Sequence, residues 1–260
     1  MRYGVCVDAD YKKLAKLKEF GYDYAEIPLS VVSDWDETQI EEFLAESKKT
    51  GIYAEAVNCF FKYGGSYLVK PGIDYSDVEN YLETALSKAQ KLGTKVAVIG
   101  CGGARQIPDD VNWEDGVNQF ATVFGLSAKI AEKYGITVVV EPLYKGNSNF
   151  INTVAEGIDI CKKANHKNAK VLADFFHVAM TGESLDAIEN CGETLAHLHI
   201  ARANSDRKMP INPEDKPVCE RWAAAIKKNG YNERMSLEGN FGENWDETVK
   251  QMREVLKIFD

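Results

Sequence analysis

No two cysteines in this chain stand in a CxxC arrangement. The six present (Cys6, Cys59, Cys101, Cys161, Cys191 and Cys219) are widely dispersed. An even count permits disulfides, but dispersal without an export signal favours reduced, mostly buried thiols. The stretch MRYGVCVDAD lacks an apolar core followed by a small-residue cleavage site, so the cytoplasm is the expected compartment. No run approaches the ~20 apolar residues of a membrane-spanning helix. Positive charge is also scarce, with 31 Lys and Arg against 40 Asp and Glu and a formal charge of −9. Polyanions require a dense Lys/Arg face, whereas here basic residues are interspersed with acids. Nucleic-acid and membrane partners are therefore not expected, which leaves a small-molecule ligand.

With 45% apolar and 27% charged residues, the composition is that of an ordinary globular protein. Strand-like and helix-like segments alternate throughout. The strand candidates are Tyr3–Val7, Tyr24–Pro28, Ile52–Asn58, Lys95–Ile99, Ile136–Glu141, Ala169–Asp174, Leu195–Ile200 and Met235–Glu238. Between and after them run helical patterns at Tyr11–Phe20, Asp36–Thr50, Ser76–Leu92 (opened by a Ser cap), Trp113–Tyr134, Thr153–Ala164, Ser184–Asn190, Lys216–Asn229 and Trp245–Ile258. Eight βα units without a linker or composition break predict one α/β domain over residues 1–260, a single parallel eight-stranded (β/α)8 TIM barrel. A doubly wound sheet is the alternative, but no GxGxxG follows the first strand. The stretch Gly100-Cys101-Gly102-Gly103-Ala104-Arg105 lacks the Lys-Ser/Thr ending of a phosphate loop and reads as a flexible active-site loop.

In such a barrel the chemistry sits at the C-terminal ends of the strands. The fifth strand, VVVEPL, ends in Glu141, the sixth in Asp174, the seventh carries His197 and His199, and the eighth ends in Glu238. His197 and His199 share a face, and His199 is nearer the rim. One such carboxylate alone is an ordinary solvated strand-end residue. Three converging carboxylates would repel one another and take up protons unless a cation joined them. Two Glu, one Asp and one His form a hard, oxygen-rich set suited to Mn²⁺, Mg²⁺ or Co²⁺ more than to a thiol-preferring structural zinc site.

The segments VEPLYKGNSNFINT, ADFFHVAM, HLHIARANSDRKMP and SLEGNF, in this order, resemble the xylose-isomerase-like TIM barrels of the sugar phosphate isomerase/epimerase superfamily. Within it they are most similar to the D-tagatose/D-psicose 3-epimerase group. NCFF (Asn58–Phe61) and GCGGARQIP (Gly100–Pro108) extend the likeness into the first half. The resemblance implies one divalent ion held by Glu141, Asp174, His199 and Glu238, with Mn²⁺ ahead of Mg²⁺, Co²⁺ or Zn²⁺. It implies that Glu141 and Glu238 are also the catalytic acid and base, one on each face of the substrate. His177 matches a His that contacts substrate oxygens. Two positions depart from the pattern: Asn147 stands where the epimerases carry a Glu, and Ser205 where they often carry an Arg. The nearest arginines are Arg202 and Arg207, and Asn147 and Arg207 join His177 and Phe61 as the substrate-binding candidates. Glu26 is either a rim residue or a buried structural one.

The chemistry expected is proton abstraction next to a carbonyl through a metal-stabilised enediolate, giving epimerisation or aldose–ketose isomerisation. Alternatives are dehydration of a keto-cyclitol (inosose-type) on the same site, and a sugar-binding barrel without turnover. The endonuclease branch of the superfamily needs many histidines and a basic DNA track, and four His with a charge of −9 speak against it. Phe60, Phe61, Tyr63 and Trp113 either wall the pocket or pack between loop and barrel. His166 reads as solvated surface on the opposite rim, and Cys101 is close enough in sequence to line the pocket. A homodimer or tetramer is the expected assembly, with preference for a substrate other than free D-psicose or D-tagatose.

Overall fold

A computed structural model describes residues 1–62 and 68–260. Tyr63 falls outside the described residues. Eight parallel strands close into a barrel in chain order: β1 Arg2–Cys6, β2 Tyr24–Pro28, β3 Tyr53–Asn58, β4 Val96–Ile99, β5 Thr137–Val140, β6 Ala169–Asp174, β7 Leu195–Ile200 and β8 Arg234–Leu237. β1 closes the ring by pairing with β8. Val-rich strands such as TVVV of β5 are buried on both faces, as parallel strands under a helical layer must be.

Side-chain alternation sorts each strand into two cores. Val138, Val140, Val171, Ala173, Leu198 and Leu237 point outward into the layer between barrel and helices. Tyr24, Ala56, Val96, Val98, Val139 and Leu172 fill the interior. Gly4 has no side chain because the Tyr24 ring fills the space a Cβ would need, and the Tyr24 hydroxyl lies 2.8 Å from Ser236 Oγ. One interior layer higher, the same alternation projects Glu26, Glu141, Asp174, His199 and Glu238 over the barrel mouth.

The helices start and stop largely where the sequence signals. Asp36 and Gln39 form a capping box for Glu37–Thr50, and left-handed Gly51 ends that helix. Thr153 caps Val154–Ala164, and Gly230 ends Lys216–Asn229. The Ser cap expected at Ser76 is a correction. Asp74 is the cap of Tyr75–Lys91, accepting from both the Ser76 N–H (2.8 Å) and its hydroxyl (2.7 Å). Three α-helical elements lack an expected counterpart, the first being the turn Leu29–Val32 that follows β2 directly. Gly102–Arg105 forms one helical turn instead of an irregular loop, and Phe175–Thr181 is a helix rising directly from β6.

Candidate metal centre and active site

Strand register brings the four rim residues together. Asp174 on β6 pairs directly with His199 on β7, and the Glu141 and Glu238 N–H groups bond the last carbonyls of β4 and β7. One ligating atom from each of Glu141, Asp174, His199 and Glu238 lies within 4.8 Å of the others. His199 Nδ1 is 3.2 Å from Glu141 Oε1 and 3.2 Å from Glu238 Oε2. Asp174 divides its oxygens: Oδ1 caps the helix Phe175–Thr181 through the Phe176 N–H (2.8 Å), which leaves Oδ2 facing the cluster.

Glu26 is a buried positioning residue, with no exposed surface. Its Oε1 lies 2.9 Å from His199 Nε2 and its Oε2 2.9 Å from His197 Nε2. Burial works to raise its pKa, and the two imidazoles outweigh burial, so the carboxylate stays ionised. With His199 Nε2–H donated to Glu26, Nδ1 is directed at the cluster, the carboxylate–histidine arrangement that orients a metal-ligating imidazole. The same carboxylate ties His197, one interior layer below, into the support. Glu26→Gln is therefore expected to weaken Mn²⁺ binding about 10- to 100-fold in a chelator competition. Unchanged affinity would mean that His199 keeps its orientation without this bond.

The neighbours of the cluster arrive by tertiary routes. Arg207, in the left-handed region at φ 47°, donates Nη2 to Asp174 Oδ2 (2.8 Å) and to Glu238 Oε2. Its guanidinium lies 4.9 Å from the Phe176 ring centroid. Its carbonyl passes so close to Gly239 that a Cβ there would collide with it. Arg202 turns away to Asp206, Glu214 and Asp215, and Ser205 is exposed. His177, in the first turn after Asp174, accepts the Tyr144 N–H at Nδ1 (3.3 Å), so its proton sits on Nε2, 3.7 Å from Asp174 Oδ2. Tyr144 stacks on its ring at 5.6 Å. Burial, partly opposed by Asp174, lowers its pKa and favours the neutral donor.

Two further residues carry the site without having been singled out in the sequence. Gly100 leaves room for Glu141, because any Cβ there would collide with Oε2. Arg105 is wholly buried, and among the described residues it has no carboxylate partner; its guanidinium donates to the carbonyls of Ile99 (3.2 Å) and Ile151 (3.4 Å), pinning the end of β4 to the chain beyond β5. Burial lowers its pKa to about 10, against the opposing pull of Cys101 and Glu141. A buried arginine spending its donors on carbonyls has no sequence signature; only the Gly-rich run hinted at a close approach.

The other pocket candidates take different environments. Phe61 is 2% exposed, packed on Phe60 and Tyr81 beside the helix Tyr75–Lys91. Asn147 is exposed in a turn, with its N–H on the Tyr144 carbonyl. Trp113 packs edge-on against Phe150 and lines a separate cavity with Ile160 and Lys163 of Val154–Ala164. Cys101 is buried, its sulfur accepting the Phe61 N–H, and no disulfide joins any of the cysteines among the described residues. His166 is partly exposed beside Glu132.

The donor set fits one divalent cation. With His199 protonated, four carboxylates (Glu26, Glu141, Asp174, Glu238) face two cations (His199, Arg207) in a buried space. Burial, then the Glu238 charge, pushes Glu141 up to about 7. Glu238 also feels burial, but His199 and Arg207 outweigh it and hold that carboxyl at about 2. Hard oxygen donors with a single imidazole suit Mn²⁺, Mg²⁺ or Co²⁺.

Residues 14–258 match the family described as xylose isomerase-like TIM barrel. Among curated relatives, D-psicose 3-epimerase of Ruminiclostridium cellulolyticum is 29% identical over 215 residues, covering 78% of this chain and 70% of that protein. 3-Dehydro-D-guloside 4-epimerase of Escherichia coli is 24% identical, covering 73% of each. In fold, the crystal structure of D-psicose 3-epimerase with D-tagatose from Clostridium cellulolyticum H10 superposes with a TM-score of 0.81 at 23% identity, covering 100% of this chain and 98% of that one. That of 3-keto-D-glucoside 4-epimerase from E. coli gives 0.83 at 19%, covering 99% of both. The chain belongs to the xylose isomerase-like TIM barrel family.

Proposed function

We propose that this protein epimerises a sugar or sugar derivative, taking a proton from the carbon beside a carbonyl and returning it to the opposite face. The observation that carries the reading is the pair Glu141 and Glu238, two rim carboxylates set equally far from His199 in contrasting environments. Relatives that are sugar epimerases by name support it.

A C–H beside a carbonyl is a weak acid, so its removal requires a placed base and stabilisation of the developing enediolate. A divalent ion held by Glu141, Asp174, His199 and Glu238, Mn²⁺ before Mg²⁺, Co²⁺ or Zn²⁺, supplies Lewis-acid polarisation of that carbonyl when bound. Glu238, held ionised by His199 and Arg207, is ready to accept a proton. Glu141, the second rim carboxylate beside His199, returns a proton from the other face. His177 Nε2–H and the Arg207 guanidinium bind substrate oxygens beside the reacting carbon. We assign this activity to residues 1–260 as one domain of a cytoplasmic homodimer or tetramer.

The test is a panel of ketoses, aldoses, their phosphates and inososes, incubated with ion-loaded protein in D₂O and read by chromatography and mass. The expected product is an epimer carrying deuterium at the inverted carbon, with free D-psicose not the best substrate. Dehydration of an inosose as the fastest reaction would overturn epimerisation.

A further inference from the structure

A cavity of about 470 Å³ opens from one side of the cluster. Its inner wall is Glu238 and Arg207, and it runs past Asn58 to Asp8, Lys13 and Trp245. A space of this size belongs with pockets that enclose a drug-sized ligand, beyond what a single sugar ring fills. The outer end is built from the first residues of two helices, Lys13–Glu19 after β1 and Trp245–Val255 after β8, and the loops that lead into them. Lys13 Nζ stands 5.0 Å from the Trp245 ring centroid, and Phe241 lies 6.1 Å from the same indole at 52°. Half-buried indole and phenyl rings lining the cavity, bordered by amide groups such as Asn240, are suited to the apolar C–H face and hydroxyl edge of a sugar ring.

Charge separates a neutral occupant from a phosphate. Lys13 is 4.0 Å from the Asp8 carboxylate, and the Arg207 charge is already offset by Asp174 and Glu238, which share its Nη2. Two basic and two acidic residues therefore line the cavity, with no surplus positive charge. Phosphate recognition uses uncommitted Arg or Lys, bidentate where possible.

We infer that this outer wall is a second sugar subsite, and that the substrate is a glycoside whose reacting keto-sugar lies at the cluster and whose second, neutral ring lies on Trp245. The inference rests on the epimerase reading for what happens at the inner end. Linkage through the anomeric carbon blocks ring opening, so the carbonyl beside the reacting C–H is a ring ketone.

The experiment compares Mn²⁺-loaded wild type with Trp245→Ala, Trp245→Phe and Lys13→Ala. The probes are a 3-dehydro-disaccharide, the matching methyl 3-dehydro-glycoside, free D-psicose and its 6-phosphate. Expected is a KM for the two-ring probe at least about tenfold below that for the methyl glycoside, the scale of one buried aromatic anchor. Trp245→Ala should erase that advantage with kcat kept and the methyl compound unaffected, and Trp245→Phe should restore most of it. Equal effects on both probes, no effect of Trp245→Ala, or best turnover of the phosphate would overturn the subsite. Calorimetric binding of the unoxidised disaccharide separates the two readings. Trp245-dependent binding without turnover of any sugar leaves the subsite standing and removes the epimerase, whereas turnover with Trp245-independent binding does the reverse.

Discussion

Replacing Glu141 or Glu238 by Gln is expected to cut turnover by at least ~10²-fold, the usual cost of losing a general base or acid. Gln keeps the shape and one ligating oxygen but not the basicity, so ion binding should suffer less than when a ligand is removed outright. The two variants should differ in proton exchange. A two-base epimerase with one carboxylate replaced can still exchange the proton of the epimer that faces the other. Turnover of each epimer in D₂O, followed by NMR, reads this directly. Loss of exchange for both epimers in only one variant would indicate one base and hence isomerisation. Wild-type activity in both variants would remove the enediolate mechanism.

His199→Ala or Asp174→Ala is expected to abolish the binding of about one divalent ion per chain, with at least ~10²-fold weaker affinity, above the 10- to 100-fold typical of residues behind the ligands. Full occupancy in either variant would sink the ligand assignment. Binding should also depend on pH. Glu141, pushed up to about 7 by burial and Glu238, has to release a proton to receive a cation. So does His199: burial opposes its charge, but Glu26, Glu238 and Glu141 outweigh it and hold its pKa above the usual imidazole range. A carboxyl with a raised folded pKa stabilises the fold while protonated, and that contribution fades as pH climbs from the ordinary carboxylate range through about 7. With two protons displaced, the Tm difference between ion-loaded and chelated protein, at fixed free ion, should shrink by roughly 5–10 °C for each pH unit below 7. A constant difference from pH 5.5 to 7.5 would show that no proton is displaced.

The sequence by itself determined the barrel and the identity of its rim. Period-two alternation along VVVEPL, VLADFFH, HLHI and MSLEGNF is a local property, because successive side chains on a strand must face opposite ways. Once eight strands alternate with helices, their C-terminal ends share one face, so Glu141, Asp174, His199 and Glu238 were legible together. Strand limits shifted by a residue or so, as at β1 and β8, because helix and strand ends are set by hydrogen bonds to neighbours absent from a local pattern.

The tertiary structure alone decided what surrounds that rim. Glu26 lies 171 residues from His197 and 173 from His199, and only closure of the ring makes it their shared acceptor. Arg207 reaches Asp174 and Glu238 despite its displaced spacing because a left-handed residue turns the loop over Gly239, a conformation no spacing rule encodes. Arg105, expected to lie in a flexible loop, is buried because two carbonyls from separate segments converge on its guanidinium. Phe61 and Trp113 were aromatic residues in loops near the rim, and packing against Tyr81 and Phe150 fixed where their rings went. Local chemistry names which groups stand at a strand end. Long-range contacts decide which of them is paired, buried or left facing a ligand, because those depend on neighbours that the chain brings in from far away.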